Sequence, residues 1–497
     1  MNRRLADTLL PDPYSSHVRP ALFGQRAAVS AAHPLAASAA LEIAALGGGA
    51  ADVVIAAQAV TSVLMPEAGG VGGDGFFLIR GADGTVTAVN AAGNAPAAFQ
   101  GVVADDGTSV TVPGVVAGWG ELSARFGKVP LAVALAPAVR IAEEGTPIRA
   151  ETLRAVASQR ARLVRGGSEH WPFFATETGQ HVRQPALAAT LEAIGRQGAQ
   201  WFYEGEMAAA VASAVAAQGG ALTSADMAAH ASVVDVPLSL DWKGLRIHVQ
   251  PPMSQGVLLL MALAAYDKLE IPADGRDHAS VELTQAAFAF RNEISRGKRL
   301  LEEPLPIDLA RASLRGGPRS YLHTAGAAAA DKDGVVVSSL ISVFDDFGSA
   351  ILVPEGGFML NNRAAGFTQG SNTARPGAMP VHTLAPILVE AGDVTFALAT
   401  PGADGQVQTL LQILVSLVEG GCDLPMAIDR FRWRSEDGKL LIEGAHPARG
   451  SLTARGHPIV DTSEGDTRFG AVVSAGFDGV RPFCCSDWRR ETWSSAV

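Results

Sequence analysis

The sequence predicts a large α/β protein, and three observations support this fold class. Apolar residues recur at helical spacing through much of the first half of the chain. The last third is instead rich in short strand-like runs. The chain has 497 residues, of which 48% are hydrophobic and 18% charged. That length and composition suit two or three domains, or one multilayer fold with a large core.

Two helices and a hairpin are predicted near the N-terminus. Apolar residues recur with helical spacing across residues 34–66, interrupted at Gly47-Gly48-Gly49, and glycine ends a helix. Residues 76–80 and 85–90 are strand-like. The Ala82-Asp83-Gly84 turn between them predicts a β-hairpin.

The middle of the chain is predicted to be mostly helical over residues 111–262. Within it, the segment from Thr223 to Asp226 is typical of a helix N-terminal cap. Residues 291–320 are rich in Arg, Glu and Pro and separate this helical region from the strand-rich last third. We therefore predict a linker there.

Charge and composition exclude several classes of protein. Lys and Arg number 39 against 50 Asp and Glu, a formal net charge of −11, which offers no general binding surface for nucleic acid or an anionic membrane. Three cysteines exclude a disulfide framework, and the eleven histidines show no metal-binding spacing, so neither a metal nor a cofactor is predicted.

The longest apolar run, Val257 to Tyr266, is about half of the ~20 residues that cross a bilayer. The N-terminus does not resemble a secretory signal, so a cytoplasmic location is predicted.

One glycine-rich motif resembles a nucleotide-binding fingerprint but stands in the wrong context. Residues 70–75 read Gly-Val-Gly-Gly-Asp-Gly, which fits G-x-G-x-x-G. That fingerprint needs a strand before it and a helix after it, whereas here a helical segment precedes and a strand follows. The favoured interpretation is a tight turn in which backbone packs against backbone or substrate. No G-x-S-x-G hydrolase motif is present.

Several segments, found in one order along the chain, carry a resemblance to a known family. They are residues 30–58, the glycine-rich turn GGVGGDGFFL, 112–145, 184–230, 250–260, 347–363, 380–389, 400–414 and the closing SDWRR. Together they resemble the γ-glutamyltransferase family of N-terminal-nucleophile hydrolases over roughly residues 27–490. The resemblance implies a four-layer αββα sandwich with a helical region in its N-terminal portion. It also implies that the partners are small molecules, namely an amide substrate and an acyl acceptor.

The resemblance also implies a nucleophile and a self-cleavage site. Members of the family cut themselves just before a threonine, and the matching stretch here is HTAGAAAADKDG. Aligning its acidic-glycine turn places the nucleophile at Thr324, with a large subunit of residues 1–323 and a small subunit of residues 324–497 that together form one αββα unit. A hydroxyl needs a base to become a good nucleophile. The freed α-amino group has a pKa of about 7.7–8.0, so Thr324 carries its own base.

Further site residues follow from the same resemblance. A glycine pair supplies the oxyanion donors in the family, and Gly402 and Ala403 occupy that place. We predict that four residues line the acyl pocket: Asn362, Arg363, His382 and Thr383. The alternatives are equally open, namely that the Asn361-Asn362 pair caps a turn and that His382 is a neutral histidine packed in the core.

Departures from the family pattern bear on the substrate. The arginine that binds the substrate α-carboxylate in glutamyl-specific members is replaced by Ala92. The acidic residues expected before Phe367 are Ala365 and Gly366. Recognition of a γ-glutamyl group is therefore disfavoured. The pattern VHTLAP with PGADGQVQT instead resembles the oxamate amidohydrolase and acylase branch, which acts on other amides.

The stretch after the nucleophile also departs from expectation. Residues 325–330 are alanines and one glycine, which by propensity predict helix or loop, and small side chains predict poor packing if the segment is a strand. The predicted function remains a self-processing amidohydrolase or acyltransferase that uses water or an amine as acceptor. The alternatives are a γ-glutamyltransferase or glutathione hydrolase, and an uncleaved, inactive homologue with a binding role.

Overall fold

The computed structural model describes residues 19–174, 177, 179–315 and 324–497, together with Leu9. The α-helices are α1 Pro34–Ala45, α2 Ala50–Leu64, α3 Val115–Phe126, α4 Leu131–Glu144, α5 Ala150–Arg165, α6 Pro185–Gln197, α7 Gln200–Tyr203, α8 Gly205–Ala217, α9 Ser224–Ala228, α10 Gly256–Tyr266, α11 Arg276–Phe288, α12 Gly405–Val418, α13 Leu424–Asp429 and α14 Arg449–Ala454. The strands are β1 Leu22–Phe23, β2 Ala27–Ala31, β3 Asp74–Arg80, β4 Val86–Ala91, β5 Thr146–Pro147, β6 His181–Val182, β7 Val233–Asp235, β8 Leu238–Trp242, β9 Leu245–Val249, β10 Ala325–Asp331, β11 Val336–Ser342, β12 Leu352–Val353, β13 Phe358–Met359, β14 Ile387–Ala391, β15 Val394–Ala399, β16 Trp433–Glu436, β17 Lys439–Glu443, β18 Ile459–Thr462, β19 Val473–Phe477, β20 Pro482–Ser486 and β21 Trp493–Ala496.

Two seven-stranded antiparallel sheets form the centre of the fold. Sheet A has the order β1-β20-β19-β15-β14-β9-β8, and sheet B has the order β21-β2-β10-β11-β3-β4-β7. A buried apolar layer that includes Phe76, Leu388 and Val473 lies between them. Helices α1 to α3 contact sheet B and share its outer core with α4, α6 and α8, whereas α10 and α12 contact sheet A and share its outer core with α11. The predicted αββα sandwich is confirmed.

Strand β10 overturns the expectation for the alanine run. Residues 325–330 form a central strand paired with β2 and β11, and every residue is buried, so the prediction of helix or loop was wrong. Side chains alternate across a strand, so Ala327 and Ala329 face the helices while Ala328 and Ala330 face sheet A. Helix α2 is itself rich in alanine and wholly buried, and it packs against β10. Close approach of this helix fills the space that small side chains leave, and ladder pairing overrides propensity.

The N-terminal predictions agree with the structure. Helices α1 and α2 flank the glycines at 47–49, and β3 and β4 form the expected hairpin. The glycine motif at 70–75 is a turn between α2 and β3. A side chain at Gly72 would place its Cβ 2.0 Å from the carbonyl oxygen of Met359, so the backbone there packs against backbone.

The helical middle of the chain is interrupted by strands that the sequence reasoning did not identify. Strands β8 and β9 form a hairpin at the edge of sheet A within the range predicted to be mostly helical. Its two-residue turn is Lys243-Gly244, with φ angles of 47° and 86°. A turn with two positive φ angles matches the twist of a hairpin, and this dipeptide was the missed signal. The predicted cap at Thr223 is confirmed at the start of α9.

The predicted linker packs against the body of the fold. Residues 291–302 form 3₁₀ turns, and Ile294 and Leu300 join the core around α10. The described portion of this stretch therefore does not separate two domains, because its apolar residues complete a shared core. Residues 316–320 lie outside the described residues of the chain.

A small satellite sheet lies beside α11. Strands β16, β17 and β18 form it, with helix α14 between β17 and β18. Val281 of α11 packs into its core with Trp433, Ile442 and Leu452. Among the described helices, none is both long and apolar enough to span a membrane.

Candidate active site

Thr324 lies directly before strand β10, on the wall of a cavity of about 270 Å³. It is 5% exposed. Its hydroxyl makes no hydrogen bond to any described residue. The bond between residues 323 and 324, the predicted cleavage site, lies outside the described portion of the chain because His323 is not described.

The cavity wall is assembled from several distant segments. Its lining residues are Ala32, Met65, Arg149, Ala150, Glu151, Thr324, Gly326, Pro401, Thr467, Ala471, Arg490, Glu491 and Thr492. They come from the C-terminal ends of β2 and α2, the beginnings of β10 and α5, the loops that follow β15 and β20, and the segment between β18 and β19. Segments from before and after Thr324 therefore build one site.

Arg149 is held in one orientation by carboxylates. Its Nη1 donates to Oε1 of the buried Glu67 at 2.6 Å, and it also pairs with Glu491. Burial alone lowers the pKa of an arginine, but Glu67 and Glu491 raise the pKa of Arg149 above its usual value. Glu151 on the same wall pairs with Arg154. The two carboxylates of the cavity wall thus each have an arginine partner.

Arg490 is a second cation on this wall. Its Nε donates to the carbonyl oxygen of Thr467 at 3.1 Å. Burial is the main cause that lowers the pKa of Arg490 to about 10. Nη2 of Arg490 donates to the same Thr467 oxygen at 2.5 Å. The guanidinium still carries its charge at neutral pH, so it can attract a carboxylate.

Gly402 and Ala403 lie in the loop between β15 and α12, directly after the cavity residue Pro401. Their φ angles are 122° and 48°, so Ala403 occupies the left-handed region that costs a residue with a Cβ about 1–2 kcal/mol. Gln255 donates to the carbonyl oxygen of Ala403 at 2.9 Å, and Arg434 donates to that of Gly402 at 3.3 Å. Neither N–H donates a hydrogen bond to a described residue. Side chains thus hold the two carbonyl oxygens of this loop, whereas its two N–H groups remain available to bind a substrate oxygen.

The four predicted pocket residues lie elsewhere. None of them is among the described residues that line the Thr324 cavity. Arg363 and His382 both contact Asp74, with Arg363 Nε at 2.8 Å and His382 Nε2 at 3.2 Å from Asp74 Oδ2. Asn362 binds Asp345, and the carbonyl oxygen of Thr383 accepts a hydrogen bond from Gln255. Their predicted role in the acyl pocket stays a prediction.

The cluster around Asp74 is fully buried and its protons can be assigned. The backbone N–H of Leu384 donates to His382 Nδ1, so Nε2 carries the proton and donates to Asp74. Burial, and then the charge of Arg363, lower the pKa of His382 to about 4. Burial opposes ionisation of Asp74, but His382 and Arg363 hold its pKa below the usual value. This geometry is the one expected for a neutral, packed histidine beside a buried ion pair.

Sequence reasoning missed the two cationic residues of the cavity. Arg490 ends the SDWRR segment that carries the resemblance, so a signal for it was present. Arg149 lies outside all of the segments that carry the resemblance. Its contact with Glu67, which follows the end of α2, forms only in the folded chain. Ala92, which replaces the arginine of glutamyl-specific members, is buried in the layer between the sheets.

Comparison with known proteins agrees with this architecture. The family model described as gamma-glutamyltranspeptidase matches residues 36–298 and 317–497. The oxamate amidohydrolase proenzyme of Klebsiella pneumoniae is 33% identical, over 89% of this chain and 93% of that protein. The acylase ACY 1 proenzyme of Pseudomonas sp. strain SE83 is 30% identical, over 88% of each. The crystal structure of cephalosporin acylase from Bacillus halodurans has a TM-score of 0.88 at 26% identity and covers 98% of this chain and 99% of that one.

The fold and these matches define an enzyme of the N-terminal-nucleophile hydrolase class. The chain belongs to the gamma-glutamyltranspeptidase family. The predicted likeness to its oxamate amidohydrolase and acylase branch is confirmed by the relatives.

Proposed function

We propose that this protein is a self-processing amidohydrolase in which Thr324 attacks a small amide whose acyl group carries a carboxylate. The observation that carries this proposal is the position of Thr324, which directly precedes a buried strand and lines the same cavity as Arg490. The relatives support the reaction type, since their names describe an amidohydrolase and an acylase, each formed from a proenzyme.

The proposed reaction needs no separate base. Cleavage before Thr324 frees its α-amino group, which takes the proton from Oγ1 as Oγ1 attacks the amide carbon. The C–N bond then breaks, the leaving nitrogen takes that proton, and an ester to Thr324 remains. Water then attacks the ester carbon and gives a proton to the α-amino group, and the ester C–O bond breaks. Oγ1 takes that proton back as the acid leaves. His382 is not needed, because its ring is buried and donates to Asp74.

The oxyanion is assigned to the backbone of the loop after β15. The N–H groups of Gly402 and Ala403 are donors without a partner among the described residues, next to a residue of the cavity wall. Fixed donors of this kind stabilise the charge that develops on the carbonyl oxygen. Their loop is held by Gln255 and Arg434, so little reorganisation accompanies the reaction.

We assign a carboxylate to the acyl group of the substrate because a cation, Arg490, lies on the cavity wall. The carboxylates of Glu151 and Glu491 are each paired with an arginine, so the wall does not favour a substrate ammonium. Arg490 adds a positive charge to this wall, and a positive charge attracts a carboxylate. The cavity of about 270 Å³ also suits a small acyl group, since pockets for drug-sized ligands start at roughly 300 Å³. The choice of water or an amine as acceptor, and the cytoplasmic location, stay predictions.

Mutation of the nucleophile tests the proposal. On a denaturing gel, we expect wild-type protein to give two fragments, residues 1–323 and 324–497. Thr324→Ala should give one chain of 51.3 kDa and no amide hydrolysis, whereas Thr324→Ser should keep slow processing and activity. Thr453→Ala, at an exposed threonine, is the control. Processing and activity that survive in Thr324→Ala contradict the proposal.

A substrate panel separates the proposed acyl group from the alternatives. We expect ammonia release from oxamate to exceed that from oxamide, its uncharged analogue. A faster reaction with a γ-glutamyl anilide than with oxamate favours a glutathione hydrolase. An intact wild-type chain with no activity on any amide favours the inactive homologue.

A further inference from the structure

Three metal-ligating side chains meet in a buried cluster between α11 and the satellite sheet. They are His278 and Glu282, one helical turn apart on α11, and His457, two residues before β18. Their ligand atoms all lie within 4.8 Å of one another, and all three residues are buried. None of them lines the Thr324 cavity, so this cluster is independent of the proposed function.

The hydrogen bonds of His278 orient the lone pair of its inner nitrogen towards the cluster. Nε2 lies 2.8 Å from the carbonyl oxygen of Asp308, which can only accept, so Nε2 carries the proton. Nδ1 therefore presents its lone pair to the cluster, 2.7 Å from Nε2 of His457. A ring N–H bound to a backbone carbonyl is the usual support of a histidine that binds metal.

Glu282 supplies the second, independent observation. Its Oε1 accepts a hydrogen bond from the backbone N–H of Ser313 at 3.1 Å. Its Oε2 is buried and has no hydrogen-bond partner among the described residues. A buried carboxylate oxygen without a donor costs free energy, and a bound cation removes that cost.

We propose that His278, Glu282 and His457 bind one divalent transition-metal ion, with Zn²⁺ as the best fit. Two imidazole nitrogens and one carboxylate oxygen are ligands that zinc accepts, with a fourth position for water. Tetrahedral Zn–N bonds place two nitrogens about 3.3 Å apart, so the rings need to separate by about 0.6 Å from their hydrogen-bonded distance. His457 moves its proton from Nε2 to Nδ1 and ligates in its neutral form.

Such an ion would join three regions of the fold. His278 and Glu282 belong to α11, and His457 belongs to the satellite sheet. Asp308 and Ser313, which bind these ligands, belong to the segment that runs towards the predicted cleavage site. We therefore assign the ion a structural role in holding the satellite sheet and this segment against α11.

Metal content and thermal unfolding of the full chain test the site. Protein stripped with a chelator and dialysed against Zn²⁺ should keep about one zinc per chain, and its Tm should rise with zinc concentration. Glu282→Gln retains an oxygen for Ser313 but loses the anionic ligand, and His457→Gln loses one imidazole. Both should bind zinc at least ~10-fold more weakly.

Controls distinguish this site from surface binding. His181 is exposed, so His181→Gln should bind and respond like wild type. Loading with Co²⁺ should give visible absorption bands in wild type and in His181→Gln, but not in Glu282→Gln. The proposal is overturned if wild type retains no zinc and shows no Tm shift, or if Glu282→Gln and His457→Gln respond as wild type does.

Discussion

At the scale of single residues, the proposed choice of acyl group depends on two arginines of the cavity wall. Arg149 is bound on both sides by Glu67 and Glu491, which orient it. Arg490 contacts a backbone carbonyl and faces the same space as Thr324. Under the proposed function, a substrate carboxylate forms a charge-assisted hydrogen bond with this cation, whereas a neutral substrate gains little from it.

Replacement of Arg490 should therefore act on charged substrates. Such hydrogen bonds contribute about 1.5–3 kcal/mol, so Arg490→Gln should raise KM for oxamate about 10- to 100-fold and change kcat less. Hydrolysis of oxamide should change little. Arg468→Gln, at a nearby arginine bound to Asp466, serves as the matched control. An equal loss on both amides argues against carboxylate recognition by Arg490.

The buried histidine His382 should make stability depend on pH. Its pKa is about 4 in the folded protein, against 6.5 for an ordinary histidine. The unfolded chain therefore binds a proton more readily, and the stabilisation is full above pH 6.5 and is lost as pH falls towards 4. Between pH 7 and 4.5 this residue should account for about 2–3 kcal/mol of lost unfolding free energy.

Urea unfolding at several pH values measures this effect. We expect the free energy of unfolding to fall less steeply with acidification in His382→Gln than in wild type, because glutamine does not titrate. The comparison uses the slopes, so a lower overall stability of the variant does not obscure it. Parallel slopes in the two proteins would show that His382 is not held neutral.

Among the elements, the packing of α2 on β10 sets the position of Thr324, the predicted nucleophile. The strand is central in sheet B, and its small side chains allow a wholly buried helix to lie close above it. This close contact leaves the start of the strand as one wall of the cavity. Packing, and not strand propensity, is what selects alanine here.

Propensity and packing predict opposite outcomes for a larger residue in β10. Valine favours strands, so propensity alone predicts that Ala329→Val stabilises the protein. Ala329 is fully buried beneath the helices, so we expect instead a loss of about 1–3 kcal/mol from overpacking. Chemical denaturation measures this change in the free energy of unfolding. The control is Ala209→Val, at an exposed position on α8, which should lose about 0.5 kcal/mol. Stabilisation by Ala329→Val would refute the packing explanation.

In the whole molecule, the two predicted products of cleavage interlock. Strands β1, β8 and β9 of sheet A precede Thr324, and the other four follow it. In sheet B, β10 from the second product pairs with β2 from the first and with β11 from its own. Each product alone would expose the edges and faces of both sheets.

We therefore expect the cleaved fragments to remain together. Processed protein should elute from a sizing column as one species with the mass of the uncut Thr324→Ala variant. Denaturant should separate the fragments, and residues 324–497 alone should not refold. Separation of the fragments under native conditions would contradict the shared sheets.

The sequence by itself determined the features that depend on neighbouring residues. Helical spacing with the glycines at 47–49 predicted α1 and α2, and the turn at 82–84 predicted the β3–β4 hairpin. Ordered matches along the chain indicated the family and, through it, the αββα sandwich. These signals are periodicity, turn chemistry and motif order, which need no knowledge of distant contacts.

Only the tertiary structure decided what depends on residues far apart in the chain. It turned the alanine run into β10 through pairing with β2 and β11. It brought Arg149 to Glu67 and placed His457 beside Glu282. The physical reason is that burial and side-chain contact act between surfaces that meet only after folding, so no local pattern encodes them.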